Sequence, residues 1–336
     1  MKNIIFLLFI ITLVSCKSMI DPAFAKNNKY LVYFNYNTKK ICSLNIETGS
    51  IEKHHKIDLD IKKYQISKLG YTYKWHYNDG DTNVYLRENY HGDNHEKRGT
   101  KVYKIDIEQF EISEMFYSKK YFFKICVRDN YLYLLRYVEP SNENLNKEKN
   151  YIVLHNLLNG SEAIINFNKT LPENEQIYAS EFFVNENKII LLGRTNLQQP
   201  KNLYLYNVST NTIKMIDNSV TQFSVYNNMV FYNRYTKQQD NNIAIYNLDN
   251  NTHKPLPYKV TSVFRDFLII DENVMVYTTI RKTPRYYIDK VWIFRSLITH
   301  KNYYIADIKK NNRKMFFRSC DDIEILGVMK NKNECL

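Results

Sequence analysis

Glycine and proline are scarce in this 336-residue sequence, at eight and seven residues. That excludes collagen-like repeats and long flexible or polyproline linkers, which need one or both in quantity. Cysteine is scarce too, with five residues, none in a C-x-x-C pair or close to a histidine, so a zinc ribbon or finger is excluded. No apolar run reaches the ~20 residues that a membrane-spanning helix needs. G-x-S-x-G, H-E-x-x-H, G-x-x-x-x-G-K and G-x-G-x-x-G are all missing, which removes the common signatures of hydrolases, zincins and nucleotide-binding proteins. The formal charge is +12, but it is spread along the chain without a dense basic block, so nucleic acid is not an expected partner.

What is abundant is aromatic. Twenty-nine Tyr and 18 Phe dominate an aromatic content of 15%, and Tyr, Phe, Ile and Val favour strands. Six segments share one pattern: an alternating apolar strand, then Asn or Asp, then a polar turn. They run Ile41 to Asn45, Val102 to Asp106, Ile152 to Asn156, Leu203 to Asn207, Ile243 to Asn247 and Tyr303 to Asp307. The intervals between the Asn/Asp positions are 61, 50, 51, 40 and 60 residues, with a mean of about 52. Four-stranded propeller blades need roughly 40–50 residues each.

The flanks agree. Around Asn207 the sequence predicts strands over Tyr178–Val184, Lys188–Leu192, Asn202–Val208 and Thr212–Ile216, separated by turn residues. Tyr71, Tyr73, Trp75 and Tyr77 alternate with Thr72, Lys74, His76 and Asn78, a period of two that predicts a strand with one aromatic face. Asn78-Asp79-Gly80-Asp81 follows as a turn. The first repeat begins at Lys29 with little strand sequence before it, while Asp322–Val328 is a strand left over at the end. The C-terminal strand is therefore expected to complete the first blade and close the ring, removing an open edge. This organisation resembles the six-bladed β-propellers of the bacterial envelope. The expected fold is all-β, a single propeller domain over 29–336. A seven-bladed ring or a large β-sandwich are the alternatives.

The N-terminus predicts the address. Lys2 precedes the apolar run Ile4 to Val14, interrupted only by Thr12, which fits the core of a secretory signal. Leu13-Val14-Ser15-Cys16 follows and resembles the bacterial lipobox. That resemblance implies cleavage after residue 15, a diacylglyceryl thioether on Cys16, and acylation of the new amino terminus. Residues 16–28 would then be a tether. Two or more acyl chains anchor stably where one does not. Ala23-Phe24-Ala25 is the competing cleavage site, but it lies far beyond the apolar run. Lys17, rather than Asp, after the cysteine favours the outer membrane by the same resemblance. Location is thus expected outside the cytoplasm, lipid-anchored, in the periplasm or at the cell surface.

Candidate sites are few. Cys320 and Cys335 are expected to bridge in an oxidising envelope, whereas Cys42 and Cys126 sit in strand-like runs and are expected to pack as small hydrophobes. His91, Asp93 and His95 form the densest ligand-like group, but a polar loop of this kind is more often just solvated, so no metal is expected. His54 and His55 alternate on a strand and cannot share one ion. Arg281 to Arg285 is a small basic group expected at a solvated hairpin tip. No catalytic residue and no cofactor is expected. Two functions remain. One is a non-enzymatic binding or scaffolding module engaging an envelope protein or an anionic glycan or lipid through propeller-face loops. The other is an enzyme, a glycan-processing or other hydrolase or lyase, with paired carboxylates or a base beside a nucleophile converging at the propeller axis.

Overall fold

The computed structural model describes residues 29–35, 38–45, 51–56, 71–77, 83–90, 99–106, 109, 111–136, 150–196, 198–234, 241–260, 267–269, 274–288, 293–307, 312–319 and 323–330. Among the described residues there are 24 strands, one 3-10 turn at Glu173–Glu175 and no α-helix. The strands build six four-stranded sheets, every pairing antiparallel. The first sheet holds β1 (Lys29–Asn35), β2 (Lys40–Asn45) and β3 (Ile51–Lys56). The second holds β4 (Tyr71–Tyr77), β5 (Asn83–Tyr90), β6 (Gly99–Asp106) and β7 (Ile112–Ser118). The third holds β8 (Lys124–Arg128), β9 (Tyr131–Arg136), β10 (Tyr151–Asn156) and β11 (Glu162–Ile165). The fourth holds β12 (Tyr178–Asn185), β13 (Lys188–Arg194), β14 (Asn202–Asn207) and β15 (Thr212–Asp217). The fifth holds β16 (Val220–Tyr226), β17 (Met229–Arg234), β18 (Asn241–Asn247) and β19 (His253–Val260). The sixth holds β20 (Phe267–Ile269), β21 (Val274–Ile288), β22 (Ile293–Asp307) and β23 (Asn312–Ser319). The last strand, β24 (Ile323–Lys330), joins the first sheet, whose order is β24-β1-β2-β3.

Two compact units contain these sheets. Leu59–Ser262 carries the second to fifth; Met1–Asp58 with Val263–Leu336 carries the first and sixth. Within the four-sheet unit, neighbouring sheets share cores. Val102 and Phe116 of the second sheet pack with Ile125, Leu132 and Leu134 of the third. Leu135 and Ile152 of the third pack with Phe182, Ile189 and Leu191 of the fourth. Ile190, Leu192 and Leu205 of the fourth pack with Val230, Tyr232 and Tyr246 of the fifth. The run Ile189-Ile190-Leu191-Leu192 is wholly buried because successive side chains point to opposite faces and each face meets another sheet. Outer strands read differently: β7, β11 and β15 alternate mostly between exposed and half-buried positions.

Each of the six repeated Asn/Asp residues is the last residue of the third strand of its sheet: Asn45, Asp106, Asn156, Asn207, Asn247 and Asp307. The side chain explains the choice. Asn207 Oδ1 accepts from the backbone N–H of Ser209 (3.0 Å) and Thr210 (3.2 Å), and Asn247 Oδ1 accepts from Asp249 (2.8 Å) and Asn250 (3.3 Å). Asn156 does the same for Leu158, and Asp106 for Gln109. A short acceptor that satisfies its own turn ends the strand and starts the reversal. In two sheets the preceding tyrosine pins the far side of that turn: Tyr206 donates to Asn211 Oδ1 (2.7 Å) and Tyr246 to Asn251 Oδ1 (2.8 Å). Asn211 and Asn251 both adopt positive φ, a conformation Asn tolerates better than most residues. Asn207→Ala is expected to cost about 1–2 kcal/mol, from two lost hydrogen bonds, while Asn207→Asp keeps the acceptor and most of the stability. Urea unfolding of the two variants side by side checks this.

The C-terminal strand goes where the leftover strand was expected. β24 pairs with β1 from Lys29↔Lys330 to Asn35↔Ile323, with one bulge between Val32 and Tyr33. The 60-residue final interval contains two strands of 15 residues each, β21 and β22. One expectation is corrected here. Arg281 to Arg285 do not form a hairpin tip; they lie inside β21, paired from Arg281↔His300 to Arg285↔Ser296. The β-branched and aromatic residues around them favour an extended hairpin. Pro284 is tolerated because β20 and β23 pair only nearer the base of the hairpin, which leaves its own stretch a two-stranded ribbon.

Candidate functional site

Several sequence candidates lie outside the described residues: Cys16, Cys320, Cys335, His91, Asp93, His95 and the turn Asn78 to Asp81. Cys42 and Cys126 are buried free thiols, as expected of small core residues. Burial pushes the Cys126 thiol up to about 11 and raises Cys42 as well, so neither is a poised nucleophile. His54 and His55 occupy adjacent register positions of β3, opposite Cys42 and Ile41. Among the described residues no group of three or more His, Cys, Asp or Glu side chains is placed to hold a metal ion.

The concentration of unusual chemistry lies on one face of the second sheet, toward the third. Register places Lys74 directly opposite Arg87, and His76 opposite Tyr85. Pairs directly opposite share a face, and so do residues two apart. Lys74, His76, Tyr85, Arg87 and Asn89 therefore share one face, and Tyr85 already packs against the third sheet. Arg87 is buried. Its Nη1 donates to the carbonyl of Phe122 (2.8 Å) and also to that of Phe123, at the entry to β8. Its Nε has no partner. Burial alone pulls this guanidinium down to about 10.

Neutral groups hold the same segment. Asn89 Nδ2 donates to the Phe122 carbonyl (2.9 Å), Thr100 Oγ1 accepts from the Phe122 N–H (3.0 Å), and Thr100 Oγ1 donates to Asn89 Oδ1 (2.7 Å). The linker into the next sheet is fixed by a similar device without any cation. Asn168 accepts from the Ile177 N–H (2.8 Å) and donates to the Ile177 carbonyl (3.0 Å).

His76 sits beside the arginine, its Nε2 shut off from solvent and without a partner. Burial, then the positive charges of Lys124, Arg87 and Lys74, hold its pKa well below 6.5. The imidazole is therefore neutral in the fold at neutral pH. An unfolded chain takes up a proton at this residue below about pH 6.5, and the folded one does not. Its contribution to stability is complete above that value and is lost progressively as pH falls below it. His76→Gln is expected to flatten the fall of unfolding free energy as pH drops below 6.5, measured by urea titration against the parent chain.

A second cluster joins the fourth and fifth sheets. The buried Tyr232 hydroxyl donates to Asp217 Oδ2 (2.9 Å) and meets His253 Nδ1 at 2.9 Å, while Arg234 Nε lies 3.2 Å from the same Asp217 oxygen. The phenol has one proton and gives it to Asp217, so His253 is the donor to the phenol oxygen. Burial and the adjacent carboxylate raise the Tyr232 pKa. A phenol that stays protonated pins two sheets together and attacks nothing. Elsewhere large apolar side chains stand exposed on turns and outer strands, Leu158, Ile164 and Met215 foremost.

No family model matches this chain, and no curated protein matches it in sequence. Solved structures do match in shape. A prolyl endopeptidase aligns over 90% of this chain at 7% identity and a TM-score of 0.46. A chain of an S. cerevisiae complex of dbp5, nup159 and gle1 aligns over 76% at 8% identity and 0.40, and the tricorn protease over 80% at 12% and 0.40. This chain spans about half the length of the first, 60% of the second and a quarter of the third.

Sequence reasoning missed Lys74, His76, Arg87 and Lys124 as a group. The signal was present in part: Lys74 and His76 recur on the polar side of the aromatic strand, and Arg87 follows Val84-Tyr85-Leu86 inside an otherwise buried run.

Proposed function

We propose that this chain is a lipid-anchored, non-enzymatic binding module of the bacterial envelope, built on a six-bladed β-propeller closed by its C-terminal strand. Six four-stranded sheets, four of them stacked face to face, and the pairing of β24 with β1 support that architecture. The lipobox-like sequence ending at Cys16 supports the tether.

The observation that carries the binding reading is the charge gathered on the face of the second sheet toward the third. Among the described residues, the charges that act on His76 are those of Lys124, Arg87 and Lys74. Glycoside hydrolysis needs two carboxyl groups roughly 5–9 Å apart across the scissile bond. A cationic cluster instead suits recognition of an anionic partner.

Two measurements test the reading. Cells fed labelled palmitate should yield labelled protein in the membrane fraction, and Cys16→Ser should lose both label and membrane. Purified protein incubated with envelope glycans should release no new reducing ends. An unlabelled soluble parent chain would sink the tether, and sugar release would sink the non-enzymatic assignment.

A further inference from the structure

We propose that the far end of the β21–β22 ribbon enters the interface of an anionic lipid bilayer, with Arg285 and Arg295 at the level of the headgroup phosphates. This rests on the lipid-anchor reading of Cys16 and names the protein surface that meets the membrane.

The ribbon is the part of the sixth sheet that outgrows it. β21 and β22 pair over their whole length, from Val274↔Asp307 to Ile288↔Ile293. β20 pairs only with residues 275–277 of β21, and β23 only with residues 301–307 of β22. Among the described residues, no third strand pairs with 281–288 or 293–300. Eight rows at about 3.4 Å per residue reach roughly 27 Å. A two-stranded ribbon without a sheet beside it is marginally stable in water, so it gains from a surface that holds its outer rows. The twelve residues 17–28 separate Cys16 from β1, which lies in the same compact unit as the ribbon. Extended, they span up to roughly 40 Å, so a tether of that reach leaves room for the ribbon between the unit and the bilayer.

Composition and register name the surface. Residues 281–288 and 293–300 include four Arg or Lys and no Asp or Glu, and Asp289 and Lys290 between them cancel. The two outermost rows, Ile288↔Ile293 and Tyr287↔Phe294, carry no charge. The next two are Tyr286↔Arg295 and Arg285↔Ser296, and successive rows alternate, so one arginine falls on each face of the ribbon. Arg295 lies two residues and Arg285 three residues from the last row, about 7–10 Å along the strands. Interfacial elements bury their apolar part about 5–10 Å into the boundary between headgroups and acyl chains, which sets both arginines at phosphate depth. Tyrosine favours the same boundary. Arg281, Lys282 and His300 follow nearer the base, where an anionic surface still attracts cations. An acidic protein face would account for the arginines but not for the uncharged rows beyond them; an anionic bilayer accounts for both.

Tryptophan fluorescence tests this directly. Trp292 stands between the two strands in the sequence, and the other tryptophan, Trp75, is buried. The full mature chain isolated from membranes is mixed with vesicles of phosphatidylcholine alone, or of equal parts phosphatidylcholine and phosphatidylglycerol. Each vesicle contains a brominated phosphatidylcholine, which quenches tryptophan at short range. Quenching is expected with phosphatidylglycerol, is expected to weaken at high salt, and should vanish in Trp292→Phe. Arg285→Gln combined with Arg295→Gln should shift the docking equilibrium roughly tenfold toward the free state. Arg285→Lys combined with Arg295→Lys should keep most of the quenching, and both pairs should melt like the parent. Equal quenching in the two vesicles, quenching unchanged by the glutamine pair, or none in either vesicle overturns the proposal. If, in that last case, Phe294→Ser turned a dimer into a monomer on size exclusion, the ribbon's occupant would be a second copy of this chain. Sedimentation with phosphatidylcholine vesicles reads the acyl anchor alone. A chain that fails to sediment there overturns the tether, while its ribbon is still read by quenching with phosphatidylglycerol. A chain that sediments without phosphatidylglycerol-dependent quenching overturns only the ribbon.

Discussion

Removing residues 323–336 is expected to abolish cooperative folding. β24 is paired along the whole of β1, and β1 carries Val32 and Phe34 with no solvent exposure and Tyr33 with almost none. Losing the strand strips one ladder of backbone hydrogen bonds and uncovers apolar side chains worth about 1.5–3 kcal/mol each when buried. Together these approach the ~5–15 kcal/mol that holds an ordinary domain together. The exposed β1 edge would also be free to pair with other chains. The expected readout is aggregation on size exclusion and a broad, non-cooperative thermal transition. The matched control removes only residues 331–336, which spares β24 but deletes Cys335. If that shorter truncation were equally damaging, the cysteine and not the strand would be the closing element. If the longer one melted like the parent, β24 would be dispensable.

Gly99→Ala is the substitution with the largest expected effect from a single methyl group. Gly99 opens β6 at φ +135, a backbone conformation denied to other residues. A Cβ there would overlap the Ser118 carbonyl oxygen and approach Lys119 Cα to 2.8 Å, and backbone cannot swing aside as a side chain can. A cost of roughly 3–5 kcal/mol follows from combined overlap and backbone strain. That corresponds to a fall in melting temperature of roughly 10 °C or more. Gly160→Ala is the comparison. Gly160 also has positive φ, at +71, but nothing lies within 4 Å of its added Cβ, so only the conformational penalty of about 1 kcal/mol applies. Equal effects at the two positions would show that steric overlap does not decide the cost.

The scarcity of glycine takes on meaning from these two residues. With eight in the chain, most turns are made by Asn, Asp or charged residues instead, and Asp129, Glu186, Asn227 and Asn251 all take positive φ. Turns built this way were readable in advance because the acceptor side chain and the N–H it caps lie two or three residues apart. The strands around Asn207 were readable for the same reason. The short apolar runs within Lys188 to Leu192 and Asn202 to Val208, bounded by turn residues, need no knowledge of the rest of the chain. The Arg281 to Arg285 segment misled because basic residues and a proline look like a loop, whereas a paired hairpin of 15-residue strands accommodates them.

The amino-acid sequence by itself determined the strands, the turns that separate them and the repetition of one four-stranded plan, since each is a property of neighbours a few residues apart. Only the tertiary structure decided which faces meet. Ile189 and Leu191 serve one core while Ile190 and Leu192 serve another. The structure alone also brought His76, Arg87 and Lys124 together from β4, β5 and β8. Their proximity depends on cross-strand register and on the stacking of one sheet against the next. No local pattern encodes either, because both are set by the burial of apolar faces far apart along the chain.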